Sequence, residues 1–282
     1  MQKTLNKMNP SQWLALLFLI VGTAIVLVPL LWTVTTSLKT PAEVFGNSFF
    51  PRKWIWSNYS DAVTAIPFFL FLRNTVIILI PVMIGTIFTG ALSAYGFARF
   101  NFRGKQTLFL ILLATMMLPS QVTLIPTFLL FKQVGLTNSF IPLILPAFFG
   151  GLGGGAFNIF LIRQFMRGIP RELDESAFVD GANRWHIFTR IIAPLSKAPL
   201  IAVSIFTFMG VWNDFQSPLI YLNSNDKYTL ALGLSMFKGM YNVEWNMLMA
   251  ATILIMLPAL ILFFIAQKYF IEGISISSAV KG

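Results

Sequence analysis

The sequence predicts an all-α integral membrane protein with six transmembrane helices and both termini in the cytoplasm, and three observations carry that expectation. The first is composition. Of 282 residues, 56% are hydrophobic, 15% aromatic and only 11% charged, whereas charged residues in soluble domains run near a quarter. The second is a set of long windows without charge, each able to cross about 30 Å of hydrocarbon at roughly 20 residues per helix. The third is the placement of the basic residues. With six spans, seven of the 20 Lys and Arg (Lys39, Arg52, Lys53, Arg73, Lys132, Lys227 and Lys238) fall on one side and the remaining 13 on the side of the termini, the bias that marks cytoplasmic loops. The formal charge of +10 is thereby explained without nucleic acid. Cysteine is absent, so disulfide and thiolate-metal chemistry do not arise.

The first window, residues 12–38, is longer than a signal-peptide core and is followed by no small-residue cleavage site, which predicts a retained anchor. Residues 41–61 form an outer loop in which Trp54, Trp56 and Tyr59 suit an interfacial aromatic belt, with a sugar contact as the other reading. The second span, residues 74–98, ends at Arg99, Arg103 and Lys105 on the cytoplasmic side. In the third, residues 106–131, Pro119 and Pro126 fit either a kinked helix lining a path or plain packing. The fourth, residues 133–162, holds Pro142, Pro146 and the glycines 150, 151, 153, 154 and 155. No Gly-Lys-Ser/Thr follows, so a phosphate loop is rejected, and close helix packing or a hinge remains.

Residues 198–222 have the length of a span but contain Asp214, the one acid in an expected membrane segment. Sixteen residues at about 1.5 Å each bring it roughly 24 Å along the helix, toward the outer side. An acid at depth costs about 2.5–3.5 kcal/mol and tends to face a cavity or a partner; at the outer interface it would simply be solvated. Residues 223–244 form a further outer loop, and residues 245–267 the last span.

The one long polar interval is 163–197. Ile169-Pro170 followed by Glu172, Asp174 and Glu175 predicts a helix start, because proline suits the first turn and carboxylates complement the positive helix end. Gly181 should end that helix and Asn183 cap a second, in which Trp185, Phe188 and Ile192 recur at helical spacing until Pro194 stops it. Glu175, Ser176 and Ala177, then Gly181, then Ile191, Ala193 and Pro194 are spaced as in the EAA loop of ABC-importer permeases, and the interval resembles that loop. Ser176 and Ala193 stand where the family usually has alanine and leucine.

The similarity reaches further. The segment Val-Trp-Asn-Asp-Phe-Gln-Ser-Pro-Leu at 211–219, the Tyr-Thr-Leu-Ala-Leu-Gly-Leu at 228–234, Trp245 and the final Val280, Lys281 and Gly282 resemble the smaller permease subunit of maltose-type carbohydrate importers. The resemblance implies the type I ABC importer permease fold, a single transmembrane domain over 1–282 with the coupling loop at 163–197 inside it. It implies that Glu175, Ser176, Ala177, Asp180, Gly181, Ala182 and Pro194 couple to an ATPase, and that the tail Ala279, Val280, Lys281 and Gly282 inserts between two ATPase subunits. Trp212, Asn213 and Asp214 would line the translocation path. Gly239, Met240, Tyr241, Asn242 and Val243 would reach into an extracytoplasmic substrate-binding protein. The further partners would be a second, homologous permease and the lipid bilayer of a prokaryotic cell membrane.

His186 is the only histidine, and no Ser, His and acid arrangement supports catalysis, so the chain is expected to carry no metal or cofactor and to be no enzyme. ATP and Mg would belong to the ATPase subunits, whose closure would move the loop and tilt the permease halves. A related solute such as glycerol phosphate, an ion-coupled secondary transporter and a membrane scaffold are the alternatives. Co-purification with an ATPase separates the importer from the last two.

Overall fold

The computed structural model describes residues 9–150, 155–238 and 243–279. Among them the regular structure is helical, apart from one isolated antiparallel bridge between Lys238 and Val243. The chain divides into two compact units, Met1–Pro67 with Leu234–Leu257, and Phe68–Gly233 with Pro258–Gly282.

The first unit opens with helix α1 (Pro10–Ser37). Pro10 at its first position has no N–H to satisfy, and Gln12 Oε1 accepts the Asn9 N–H at 3.0 Å. Its apolar side chains are exposed on all sides, Phe18 at 70% and Val26 at 72%, as suits a helix surrounded by lipid. Only the foot of α1 is buried, at Thr35, Thr36 and Ser37. There the orphan carbonyls of the helix end are taken by helix α2 (Ser57–Ala65). Asn58 Nδ2 donates to the Ser37 and Lys39 carbonyls at 2.8 and 2.9 Å, and its Oδ1 accepts from Asn246 Nδ2 at 3.1 Å. Tyr59 shares a 2.8 Å hydrogen bond with Ser37 Oγ, so of the expected aromatic belt only Trp54 and Trp56 are exposed, stacked at 6.4 Å. Lys39 is fully buried; its ammonium donates to the Ser48 carbonyl at 2.6 Å and lies over the Trp32 ring.

The second unit is built around α3 (Phe68–Arg99). After it come α4 (Lys105–Thr115), α5 (Ser120–Gln133), α6 (Gly155–Gly168), α7 (Glu172–Val179), α8 (Arg184–Ile187), α9 (Lys197–Trp212) and α10 (Gln216–Tyr221). Helices α6 and α9 pack on α3, where small residues permit close approach. A Cβ at Gly90 would touch Ile162 at 3.5 Å, and one at Gly85 would press on the Phe148 ring at 3.0 Å. Ala91, Ala94, Tyr95 and Ala98 of α3 then form one core with Ile159, Ile162, Met166, Ile187, Ile192 and Val203. The last helix, α11, is Trp245–Ala279.

Among the described residues, three helices are long and apolar enough to cross a membrane: Pro10–Ser37, Phe68–Arg99 and Trp245–Gln267. They match the first, second and last expected windows. The other three windows are interrupted. The third breaks between α4 and α5 at Pro119, which has no N–H to continue the ladder and takes ψ 135°. The fourth is not one helix: it contains Ile141–Ile144, a 3₁₀ turn at Leu145–Phe149 and Gly150 at φ +65° before α6 begins. Pro142 and Pro146 remove two donors there. A Cβ on Gly155 would stand 2.8 Å from the Gly150 carbonyl, so these two glycines mark a close backbone approach. The fifth ends at Trp212 rather than continuing through Asp214. A fourth crossing arises only if the helical run Arg184–Leu195 and α9, bent by 75°, count as one.

The expected outer loop is also less exposed than its sequence suggests. Leu230 and Leu232 are buried, and the segment is fastened to α3. Asn74 Nδ2 donates to the carbonyls of Asp226 and Tyr228 at 2.8 and 2.9 Å, and Thr75 Oγ1 accepts the Leu230 N–H at 2.9 Å. Gly233 lies so close to the fully buried Phe71 that a Cβ would overlap the ring. Gly233→Ala should therefore cost about 1–3 kcal/mol. Thermal unfolding of the purified protein should show the loss, and Phe71→Leu in the same chain should recover part of it.

Candidate functional site

The polar interval folds as an elbow. Helix α7 starts with Glu172, Asp174 and Glu175 in its first turn, where carboxylates meet the positive helix end. It ends on Gly181 at φ +81°, with the Ala182 N–H returning to the Ala177 carbonyl at 2.9 Å and the Gly181 N–H to Phe178 at 3.0 Å. This paired closure needs a left-handed residue, which glycine adopts without penalty. Asn183 Oδ1 accepts the His186 N–H at 2.9 Å and so caps α8. Pro194 does not stop this helix. A π-helical turn at Phe188–Ile192 precedes it, in which the Ala193 N–H reaches back to the Phe188 carbonyl, and the helix continues through Ala193–Leu195. The widened turn comes just before a residue that lacks an N–H, and the break falls at Ser196.

Ala177, Ile187, Phe188 and Ile192 bury the inner face of the elbow. Glu175, Ser176, Asp180, Gly181 and Pro194 are exposed, Ala182 is half-buried, Val179 presents 88% of its surface, and Trp185 is also exposed. Such apolar exposure on a structured turn suits a docking surface. The elbow is clamped to the end of α3. Arg99 Nε lies 3.2 Å from Asp174 Oδ2 with both side chains largely buried, and Tyr95 donates its hydroxyl to the Arg184 carbonyl at 3.2 Å. Arg99 Nη2 and Asp174 Oδ1 are buried without a hydrogen-bond partner, so the pair is held by charge more than by directed bonds. Burial pushes the Asp174 carboxyl above the usual carboxylate range, and Arg99 draws it only partly back.

A second feature is a cavity of ≈ 450 Å³ inside the second unit. Thr86 and Thr89 of α3, Thr123 and Thr127 of α5, and Asn158 of α6 bring hydroxyl and amide groups to its wall, and Asp214 brings a carboxylate. Thr89 is oriented by donating to the carbonyls of Gly85 and Ala147 at 2.7 and 3.1 Å. Thr207 Oγ1, also in the wall, is buried without a hydrogen-bond partner among the described residues. Asp214 lies between α9 and α10 and caps the latter, accepting the Ser217 N–H at 3.0 Å. Trp212 is buried against Phe208 at 5.2 Å and Asn213 returns its amide to the Met209 carbonyl at 2.9 Å; of these three neighbours only Asp214 lines the cavity. No Lys or Arg is in the described wall. Such a lining can exchange hydrogen bonds with a neutral hydroxylated solute and offers nothing to balance an anion.

The threonines and Asn158 went unnoticed in the sequence, although Thr86/Thr89 and Thr123/Thr127 recur at helical spacing inside apolar windows. Val243 pairs with Lys238, and Ala279 is the last residue of α11. Gly239, Met240, Tyr241, Asn242, Val280, Lys281 and Gly282 lie outside the described residues. Among those described, no group of His, Cys, Asp or Glu is arranged to hold a metal ion.

Residues 86–276, more than half of the chain, match the family model described as "Binding-protein-dependent transport system inner membrane component". The chain belongs to that family. This permease component, a multi-pass protein of the inner membrane, is 30% identical over 91% of its length to the diacetylchitobiose uptake system permease protein NgcG of Streptomyces coelicolor, of which 85% is covered. It is 31% identical over 87% of its length to the lactose transport system permease protein LacG of Rhizobium radiobacter, of which 88% is covered. Among solved structures, a chain of a bacterial ABC transporter involved in the import of the acidic polysaccharide alginate superposes with a TM-score of 0.82 at 22% identity, covering 93% of this permease and 99% of that chain. The permease therefore has the type I ABC importer fold.

Arg99→Ala leaves the Asp174 carboxylate buried without its counter-charge and should cost about 3–5 kcal/mol, whereas Arg99→Met with Asp174→Leu should recover most of it. The single substitution also removes the main influence that lowers the Asp174 pKa, so the carboxyl moves further up. The folded state then holds a proton that the unfolded chain releases. The Arg99→Ala protein should be most stable below the ordinary carboxylate range and lose stability as pH rises through the folded value. Thermal unfolding across pH measures both effects.

Proposed function

We propose that this permease is one half of the membrane path of an ATP-driven importer for a neutral sugar or oligosaccharide. The observation that carries the substrate class is the cavity, walled by threonine hydroxyls, an asparagine and one carboxylate, with no cation among the described residues. An anionic solute such as glycerol phosphate would meet Asp214 uncompensated, which disfavours that alternative. The relatives named for diacetylchitobiose and lactose support a saccharide. An ion-coupled carrier has little support, since it would need more ligands than one carboxylate supplies.

The chain itself is no enzyme in this reading. ATP and Mg are handled by two separate ATPase subunits, which dock on Glu175, Ser176, Asp180 and Gly181 at the exposed turn of the elbow, while Ala177, Ala182 and Pro194 shape it. A second, homologous permease completes the path, and an extracytoplasmic binding protein delivers the solute to residues 239–243. The tail, residues 279–282, reaches the ATPases. Six crossings result if α4 with α5, residues 141–168, and α9 with α10 each traverse the bilayer as interrupted spans beside the three continuous ones. The distribution of Lys and Arg supports cytoplasmic termini.

Two variants test this reading in a reconstituted transporter. Thr86→Val with Asn158→Leu removes two hydrogen-bonding groups from the wall and should lower uptake per assembled complex about ten-fold. Unchanged uptake would remove the cavity from the path. Gly181→Asp places a charge on the docking turn, and because aspartate tolerates left-handed backbone at no more than about 1–2 kcal/mol, the protein should insert. Solute-stimulated ATP hydrolysis should then be lost. Wild-type stimulation would contradict docking at this turn.

A further inference from the structure

A second cavity, of ≈ 550 Å³, opens at the end of the bundle that carries the elbow. Its cations are Lys105 at the start of α4, Arg163 and Arg167 on α6, and Arg171 just before α7. Among the described residues no carboxylate is in the wall and none of the four forms an ion pair, the one such pair being Arg99 with Asp174. Lys105 stands in the electrostatic field of Arg163, Arg171 and Arg167. Four like charges around one concavity repel, and the arrangement is sustained when an anion lies among them.

The site is built rather than a chance gathering of surface charge. Arg163 is 9% exposed, its guanidinium lies flat on the Phe109 ring at 3.6 Å, and its Nε points at the Phe97 carbonyl. Lys105 Nζ is fixed by the Phe100 carbonyl at 2.7 Å. Arg167 and Arg171 are exposed and free to close over a ligand. The other wall is apolar: Phe109 and Leu110 line it, and Leu110 continues into Leu108 and Ile111, each more than half exposed along α4. A small inorganic anion has no use for that apolar strip, whereas an amphiphile has use for both halves.

We propose that this cavity binds a phosphate group, carried by an anionic phospholipid of the surrounding bilayer. The phosphodiester sits among Lys105, Arg163, Arg167 and Arg171, and an acyl chain lies along Leu110. Basic pockets between helices at a membrane's cytoplasmic side hold lipid headgroups in this manner. Because Arg171 immediately precedes α7, the bound lipid would brace the base of the elbow, on the cytoplasmic side given by the orientation proposed above.

The test uses the complete transporter, purified in detergent, stripped of lipid and titrated with phosphatidylglycerol or phosphatidylcholine while bound lipid is counted by native mass spectrometry. Wild type and Arg103→Gln, which removes a charge outside the cavity, should prefer phosphatidylglycerol. Arg167→Gln with Arg171→Gln should weaken phosphatidylglycerol binding about 30-fold, two cations' worth near a lipid headgroup, and leave phosphatidylcholine unchanged. If the double variant fails to assemble, Arg167→Gln alone should weaken it about five-fold. Equal retention of both lipids by wild type, or an equal loss in Arg103→Gln, overturns the proposal. Inorganic phosphate that binds with the same arginine dependence and no phosphatidylglycerol preference would assign the site to a free anion and overturn the lipid. Loss of the ATPase from the complex with lipid binding intact would make the patch a protein interface and likewise overturn it.

Discussion

In hydrocarbon, a backbone N–H or C=O released from a helix finds no water to bond, and several places where this chain leaves helical geometry answer that constraint. These breaks carry side chains that stand in for the missing turn. Asn58 takes the Ser37 carbonyl at the end of α1 and the Lys39 carbonyl just beyond it, Asp214 takes an N–H at the start of α10, and Asn74 holds the carbonyls of Asp226 and Tyr228. Asn138, in left-handed backbone, receives the Asn223 N–H, the Ser224 hydroxyl and, through its own carbonyl, the Lys227 ammonium. Polar residues within this apolar chain are thus largely joints. Where a joint opens the backbone beside a cavity, the same residue can also line it, as Asp214 does.

The elbow follows a different economy. Its turns are closed by local backbone bonds, and its attachment to α3 rests on a buried ion pair with atoms left unpaired. Desolvation offsets much of the attraction in such a pair, so the link contributes more to where α7 sits than to how firmly it is held. In the coupling role proposed for it, the elbow would gain from being located without being welded. The Tyr95 hydroxyl and the Arg184 guanidinium, stacked 4.6 Å over Phe100, reinforce location at two further points.

Sequence reading succeeded where the determining signal is local. Pro170, the first-turn acids, Gly181 and Asn183 each act within four residues, and the elbow was legible from them. It failed where the outcome depends on neighbours far along the chain. Hydropathy could not show that residues 133–162 contain a 3₁₀ turn and a glycine in left-handed backbone, because a broken span is as apolar as an intact one. Pro194 read as a stop because a π-turn just before a proline has no local signature. Charge counting places Lys39 on the outer side, and its contacts with Ser48 and Trp32, beyond the reach of local pattern, explain its burial. The threonines of the cavity were passed over because their hydropathy is near neutral, although their spacing put them on common faces.

Helix α1 has an unequal division of labour along its length. Above Trp32, which meets Phe49, its apolar side chains are largely exposed among the described residues of its own unit, so at Phe18 or Val26 one greasy side chain does as well as another within that unit, and what counts is the total rather than the arrangement. At its foot the reverse holds: Ser37 must meet Tyr59, and the carbonyls of Ser37 and Lys39 must meet one amide. The helix therefore behaves as a mast stepped in a tight socket, its shaft interchangeable and its seat particular. Drift in sequence along the shaft would leave no mark on the fold, while a single methyl gained or hydroxyl lost at the seat would unship it.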